Sequence, residues 1–165
     1  MTAPHPVPAV ISRLYELTAA AAATLADPDD GRSIIRVDLG DPGSFEEFAA
    51  IGIGLGTTPV EPVEDRQIVR GLAHDNHDFD VVCVAMAWSG DDERAQWMTR
   101  AFELVDIVRG VVDDPANRHL GLDRVVQAAA VDRMSFLWER DERGPLRALV
   151  EFTVRVQAYR RRPGR

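Results

Sequence analysis

Apolar and polar residues alternate along the C-terminal segment from Leu146 to Ala158, and this period of two predicts a β-strand with one dry and one wet face. The preceding segment, Val125 to Trp138, predicts a second strand that is joined to the first by a tight turn, so this part of the sheet is antiparallel. The alternation of the second strand slips near Asp132-Arg133, where we expect a β-bulge or a bend. The predicted dry face of the last strand is Leu146, Ala148, Val150, Phe152, Val154, Val156 and Ala158.

Two other segments carry apolar residues at helical spacing. The first runs from Pro8 to Leu25, after an extended lead-in over residues 1–8. The second follows Asp91, with Ser89 or Asp91 as the predicted N-cap. The predicted centre of its buried face is Met98, Ala101, Phe102, Val105, Val108 and Val112, and Trp97, Leu104 and Val111 widen that face.

Three more segments are predicted to be strands: Ser33 to Leu39, a weak strand from Ile51 to Leu55, and Phe79 to Trp88. The order is therefore helix, strand, strand, long loop, strand, helix, strand, strand. A chain of 165 residues suits one hydrophobic core. We predict a single α+β domain over residues 1–165, with a mostly antiparallel sheet and two main helices packed on it.

The strand from Phe79 to Trp88 is apolar on both faces, and two helices can cover only one face of a small sheet. We expect the other face to meet other elements of the chain or a neighbouring subunit. The segment from Gly56 to Asn76 is the least regular part and is predicted to be a long, partly extended arm. Pro59 and Pro62 argue against regular strand pairing there.

Charge and composition limit the classes of function and the cellular location that the chain can have. The formal net charge of −8 argues against a primary role in gripping nucleic acid, because phosphate binding needs a basic surface. A basic tail at residues 160–165 is either solvated or touches DNA or an acidic neighbour. Cys83 is the only cysteine and is predicted to be a small buried hydrophobe. The N-terminus lacks the layout of a signal peptide, and no apolar run approaches the ~20 residues of a membrane span, so we expect a protein made in the cytosol.

Catalytic and ligand-binding motifs are weak. The glycines of Gly52-Ile-Gly-Leu-Gly56 lack the following lysine of a phosphate loop, so we interpret them as a bend or a close backbone approach. His74, His77 and Asp80 are the one cluster that a metal ion could use, and the alternative is a solvated turn. Ser89-Gly90 fits a helix cap better than a nucleophile. No cofactor is predicted.

Three features together resemble a known family. They are the N-terminal helix with Pro8, Val10 and Leu14, the Ala87-Trp88-Ser89-Gly90-Asp91 strand end before the second helix, and the closing hairpin with Val150-Glu-Phe-Thr-Val-Arg-Val156. In element order and pattern the chain is similar to the tail terminator (tail completion) proteins of long-tailed phages and prophages of high-GC actinobacteria. The arm from Gly56 to Asn76 has no counterpart that we can match.

The resemblance implies a structural protein of the virion, located at the junction of tail and neck and assembled in the host cytoplasm. Such proteins form a homo-oligomeric, hexameric ring that caps the tail tube protein, stops its polymerisation and meets the head–tail connector, without enzymatic activity. DNA passes through the ring without specific binding, and no membrane is involved. A neck or head-completion adaptor, a small metal-dependent enzyme and a stand-alone binding domain are the alternatives.

Within that picture, two groups of residues are candidates for function. The arm supplies the candidate assembly interface: Val60, Glu61, Val63, Glu64 and Ile68. Carboxylates near the closing hairpin are candidates for the wall of the lumen, where negative charge would repel DNA phosphates: Asp132, Glu139, Asp141 and Glu142.

Overall fold

The computed structural model describes residues 5–43, 46–59, 74–88, 93–140 and 145–161, with the backbone alone at 59, 74–77, 160 and 161. The helices are α1 (Pro6–Leu25) and α2 (Arg94–Asp113), and short 3₁₀ turns span Gly31–Ser33 and Pro115–Gly121. The strands are β1 (Ile35–Leu39), β2 (Ala49–Pro59), β3 (His74–Ala87), β4 (Val126–Arg140) and β5 (Leu146–Arg161). They form one sheet in the order β1-β2-β3-β5-β4, in which only the β1–β2 pair is parallel among these strands. The predicted α+β class is confirmed.

Helix α1 starts earlier than predicted. Pro6 and Pro8 occupy its first turn, where a missing N–H costs nothing, so the extended lead-in does not reach residue 8. The side chain of His5 caps the helix by accepting a hydrogen bond from the Val7 amide. One face of α1 is buried against the sheet and includes Val10 and Leu14.

The closing hairpin follows its prediction. β4 and β5 pair in antiparallel fashion, and the register shifts between Val131 and Met134, so the bulge at Asp132-Arg133 is confirmed. The dry face of β5 is buried under the helices, with Phe152 1% exposed. The pairing with β3 continues to Arg161, so the first two residues of the predicted basic tail belong to the strand.

The centre of the buried face of α2 was predicted wrongly at two positions. Met98 and Phe102 are each 39% exposed, whereas Trp97, Leu104 and Val111 are buried. Compared with the prediction, α2 is rotated about its axis, so that the side of the helix with Trp97, Leu104 and Val111 is turned towards the core and the side with Met98 and Phe102 is turned away from it. Phe102 faces β4, where it contacts Phe136, and Met98 lies one helical turn earlier on the same face of the helix.

Part of the second face of the sheet is covered by the connection from β1 to β2. Four residues of this face form a small buried cluster, namely Ala50, Val84, Met86 and Leu149. Gly40 and Pro42 of the connection approach Gly52 so closely that a Cβ atom there would overlap both. Arg147 donates a hydrogen bond to the carbonyl of Gly43. The prediction that the second face meets other elements of the chain is therefore confirmed for this part of it.

The ends of the predicted irregular arm are strands. β2 extends through Pro59, which lies opposite Phe79 of β3, and β3 begins at His74. The expectation that Pro59 avoids regular pairing is wrong, since Pro59 pairs with Phe79. β1 ends opposite Ile53, so beyond that point β2 has one described neighbour. Proline is tolerated there because the strand is an edge. Residues 60–73 lie outside the described residues.

Candidate assembly surface

Strand β4 forms one edge of the sheet, and among the described strands it pairs with β5 alone. Its 15 residues present a row of outward backbone N–H and C=O groups along that edge. Natural edge strands are commonly short or shielded by charge, because an open edge is a template for pairing with another chain. β4 is long, and its C-terminal half carries large apolar side chains, so it is a candidate for an intermolecular contact.

Six apolar side chains beside this edge are named here the β4 rim: Met98, Phe102, Met134, Phe136, Leu137 and Trp138. Five of them are between 38 and 45% exposed, and Phe136 is half-buried among them. The rings of Phe102 and Phe136 stack with their centroids 5.9 Å apart, and Phe136 meets Trp138 edge to face at 5.4 Å. These ring contacts hold the aromatic side chains in place before any partner arrives, which lowers the entropy cost of binding.

The opposite edge of the sheet carries a smaller apolar group. Ile34, Leu39 and Leu55, named here the β1 rim, are 43, 56 and 41% exposed. The two rims hold eight of the nine large hydrophobic residues that are exposed in the described part of the chain; the ninth is Leu25, at the end of α1. Singly scattered apolar residues are normal on a protein surface, but groups at two opposite edges mark interaction sites.

An ion network lies on the second face of the sheet, close to β4. Nε of Arg155 contacts Oδ1 of Asp80 at 3.1 Å, and its Nη2 contacts Oδ2 of Asp132 at 3.0 Å. Asp80 is 4% exposed. The hydrogen bond to Asp80 and the charge of that carboxylate raise the pKa of Arg155 above its ordinary value. The network ties β3, β5 and the bulge of β4 together.

This network changes the interpretation of the candidate lumen residues. Asp132 is half-buried and shares Arg155 with the buried Asp80, so the three groups together carry one negative charge and Asp132 is only partly neutralised. Glu139 is exposed at the end of β4. Asp141 and Glu142 lie outside the described residues, as do all the candidate interface residues of the arm: Val60, Glu61, Val63, Glu64 and Ile68.

The backbone of the candidate metal cluster is a strand and not the solvated turn given as the alternative, and the side chains of His74 and His77 lie outside the described residues. Asp80 is engaged by Arg155. Among the side chains that the structure describes, no group of three histidine, cysteine or acidic residues could hold a metal ion.

Both the glycine and the cysteine interpretations are confirmed. Gly52 sits at a close backbone approach, and Gly54 has a φ of +77° beside the register shift between Ile53 and Gly56. Cys83 is fully buried in the core as a free thiol, and burial raises its pKa to about 12. A thiol with such a pKa is not a reactive nucleophile at neutral pH.

A groove at the start of α2 was not found from the sequence. It has a volume of about 430 Å³; half of its lining residues are apolar or aromatic, among them Phe48, Trp88 and Trp97, and the other half are polar or charged. The guanidinium of Arg32 lies 5.7 Å from the centre of the Phe48 ring, and Nε1 of Trp88 donates to the Glu47 carbonyl at 2.9 Å. The arrangement suits an apolar side chain of a partner more than a reaction.

The β4 rim was also missed by sequence reasoning, although one signal was present. Phe136, Leu137 and Trp138 are three consecutive large apolar residues in a strand, so at least one must leave the dry face. Phe102 was assigned to the core because helical spacing alone does not show where a helix overhangs the edge of a sheet.

Comparison with known proteins gives no family assignment. No family model matches this sequence, and no characterised protein matches it significantly. None of the helices that the structure describes is long and apolar enough to cross a membrane.

Proposed function

We propose that this chain is a tail terminator subunit, which forms a ring on the end of a phage tail tube, stops tube growth and joins the tail to the head connector. The observation that carries the proposal is the placement of exposed apolar side chains on two opposite edges of one sheet. The resemblance in element order points to the same role.

Two opposite edges suit a ring because a closed ring is built by head-to-tail contacts, in which one surface of a subunit meets a different surface of the next. The β4 rim is large and aromatic, with Phe102, Phe136 and Trp138 at its centre. The β1 rim is smaller and aliphatic, with Leu39 its most exposed member. Non-identical surfaces on opposite sides of a subunit let each copy contact two neighbours.

The charge of the chain supports the passage of DNA through the proposed ring. The chain carries a net charge of −8, and an acidic inner wall repels DNA and lets it slide through a ring. Of the two described carboxylates in the predicted lumen set, Glu139 is exposed at the end of β4, whereas Asp132 is paired with Arg155. In the proposed ring, DNA passes without a specific protein–DNA contact, and exposed carboxylates such as Glu139 repel its phosphates.

The proposal is tested in a phage or prophage that encodes this chain. Removing its gene is expected to give overlong tails that do not attach to heads, seen by negative-stain electron microscopy. Adding back Trp138→Ser or Leu39→Ser is expected to leave the defect, since each removes apolar area from one rim. Leu25→Ser is the matched control, because Leu25 is 55% exposed but lies on neither rim, and it should restore normal particles.

The outcomes separate the proposal from its alternatives. Tails of normal length that lack heads would indicate a neck adaptor in place of a terminator. Single copies of the chain per particle, measured by quantitative mass spectrometry of purified virions, would refute a ring of any size. Full complementation by both rim variants would show that the rims are not the ring contacts.

A further inference from the structure

We propose that, before it assembles, the free protein forms a two-fold dimer in which β4 pairs antiparallel with β4 of a second copy about Phe136. The inference rests on the edge of β4 and its sequence and does not depend on the proposed function. A single ten-stranded sheet results, with the helices of both copies on the same face. Each copy then occupies the edge of the other that no described strand pairs with.

The sequence of β4 after the bulge is complementary to itself when reversed. With Phe136 opposite its own symmetry mate, Met134 lies opposite Trp138 and Ser135 lies opposite Leu137. The next pair outward is Arg133 with Glu139, and the two-fold axis makes this ion pair twice. At the centre Phe136 therefore meets its own copy and Met134 meets Trp138, the uncharged Ser135 faces Leu137, and opposite charges meet at both ends.

Neighbouring registers lose this match. An axis at Ser135 places Arg133 opposite Leu137. An axis at Leu137 instead places Arg140 opposite Met134. Both registers set a charge against an apolar side chain, and cross-strand partners lie only ~5 Å apart at Cβ, so these mismatches are felt directly.

The exposure of the residues fits this contact. Arg133, Met134, Leu137, Trp138 and Glu139 are all exposed in the single chain. Pairing at Phe136 removes the apolar members from water and leaves the ion pairs at the margin, which is the usual anatomy of a protein interface. The overhang of α2 contributes Met98 and Phe102 on the helix side, where the two copies approach each other.

The dimer has a consequence for the ring proposed above, because the β4 edge cannot serve both contacts at once. Pairing of free subunits keeps a long, apolar edge strand from joining other chains at random. A ring that uses the β4 rim then forms only as dimers separate on a tail tube.

The experiment is a charge exchange, measured on the full chain by sedimentation velocity over a range of concentrations. Arg133→Glu alone and Glu139→Arg alone each set like charges opposite one another twice in the dimer. Each is expected to raise the dimer dissociation constant about tenfold or more, since like charges directly opposite on paired strands are unfavourable. Arg124→Glu, an exposed position in the turn before β4, is the control for net charge and should leave dimerisation unchanged.

The two single variants are then mixed in equal amounts. In the mixed dimer the glutamate introduced at position 133 of one chain would face the arginine introduced at position 139 of the other. The native Glu139 of the first chain would face the native Arg133 of the second, so both ion pairs are restored. Recovery of the dimer on mixing, and in a chain with both exchanges, supports the register about Phe136. Circular dichroism of each variant confirms that it is folded.

Three results overturn the proposal. One is a wild-type chain that is monomeric at every concentration tested. Another is a dimer that the single exchanges do not weaken, which would indicate pairing through the β1 edge or another surface. The third is failure of the mixed variants to recover, since only a two-fold contact about Phe136 makes the exchanges complementary.

Discussion

Gly52 offers a sharp test of how the second face of the sheet is covered. It lies in β2 beneath the connection from β1, and an added Cβ atom would lie 2.7 Å from Cδ of Pro42 and 2.9 Å from Cγ1 of Val84. It would also overlap the carbonyl oxygen of Gly40. Ordinary contacts between carbon atoms are ~3.5–4.0 Å, so a methyl group requires shifts of roughly 1 Å on several sides.

The connection between β1 and β2 cannot move away without cost, because the amide of Gly40 donates a hydrogen bond to the carbonyl of Ile53 at 2.7 Å. Overpacking of this kind costs ~1–3 kcal/mol, and a backbone carbonyl among the neighbours places Gly52→Ala in the upper part of that range. The gain from a less flexible unfolded chain offsets ~0.4–1 kcal/mol. The net expectation is a loss of about 2 kcal/mol in the free energy of unfolding, or a fall of ~4–8 °C in Tm for a chain of this size.

The assay is urea unfolding followed by circular dichroism, with Gly56→Ala as the matched control. Gly56 lies in the same strand, and a Cβ atom added there would have no neighbour within 4 Å, so this position should tolerate alanine. In the double variant Gly52→Ala/Val84→Ala one crowding methyl is absent, so the loss should be smaller than the sum of the two single losses. Equal stabilities of Gly52→Ala and Gly56→Ala would refute the close approach.

Three further predictions concern the core, α2 and alkaline pH. Phe152→Asp buries a charge in the dry face of β5 at a cost of several kcal/mol and should abolish folding, whereas Phe152→Leu should still give a cooperative unfolding transition by circular dichroism. Gly110→Ala adds a methyl group to an exposed position of α2 with no neighbour within 4 Å and should raise the free energy of unfolding by ~0.5–1 kcal/mol in a urea titration; a loss would mean that the site is crowded. The pKa of Cys83 is raised in the folded state, so its contribution is complete below the pKa of the unfolded thiol and is lost as pH rises from about 9 towards about 12. The free energy of unfolding should fall by ~1.4 kcal/mol per pH unit in that window, and Cys83→Ala should flatten the slope; an equal slope in the variant would contradict a buried thiol.

The sequence allowed the hairpin to be predicted in detail because β5 has one buried face along almost its whole length. Its alternation, the slip at Asp132-Arg133 and the burial of Phe152 all follow from a period of two. The ends of β2 and β3 were missed because their polar and proline residues resemble a loop. Their strand conformation depends on pairing between Pro59 and Phe79, which local pattern does not contain.

The candidate surface was harder to predict for a different reason. Apolar residues in the core and at an exposed edge have the same chemistry, and only the strand order shows that β4 is an edge. That order brings β5 between β3 and β4, although β5 comes last in the chain. The assignment of Phe102 to the core was wrong for this reason, since α2 reaches past β5 to the edge.

The central ladder between β3 and β5 joins the N-terminal part of the chain to the C-terminal part. α1, β1, β2 and β3 precede α2, and β4 and β5 follow it, so the 14 residue pairs of this ladder join an N-terminal and a C-terminal half. Partners such as Cys83 and Phe152 are far apart in sequence, and contacts of this kind slow folding. A chain cut between β3 and α2 would leave each half with one strand of the ladder and an incomplete core. The two halves are thereby natural fragments for complementation, each recovering its structure only when the other is present.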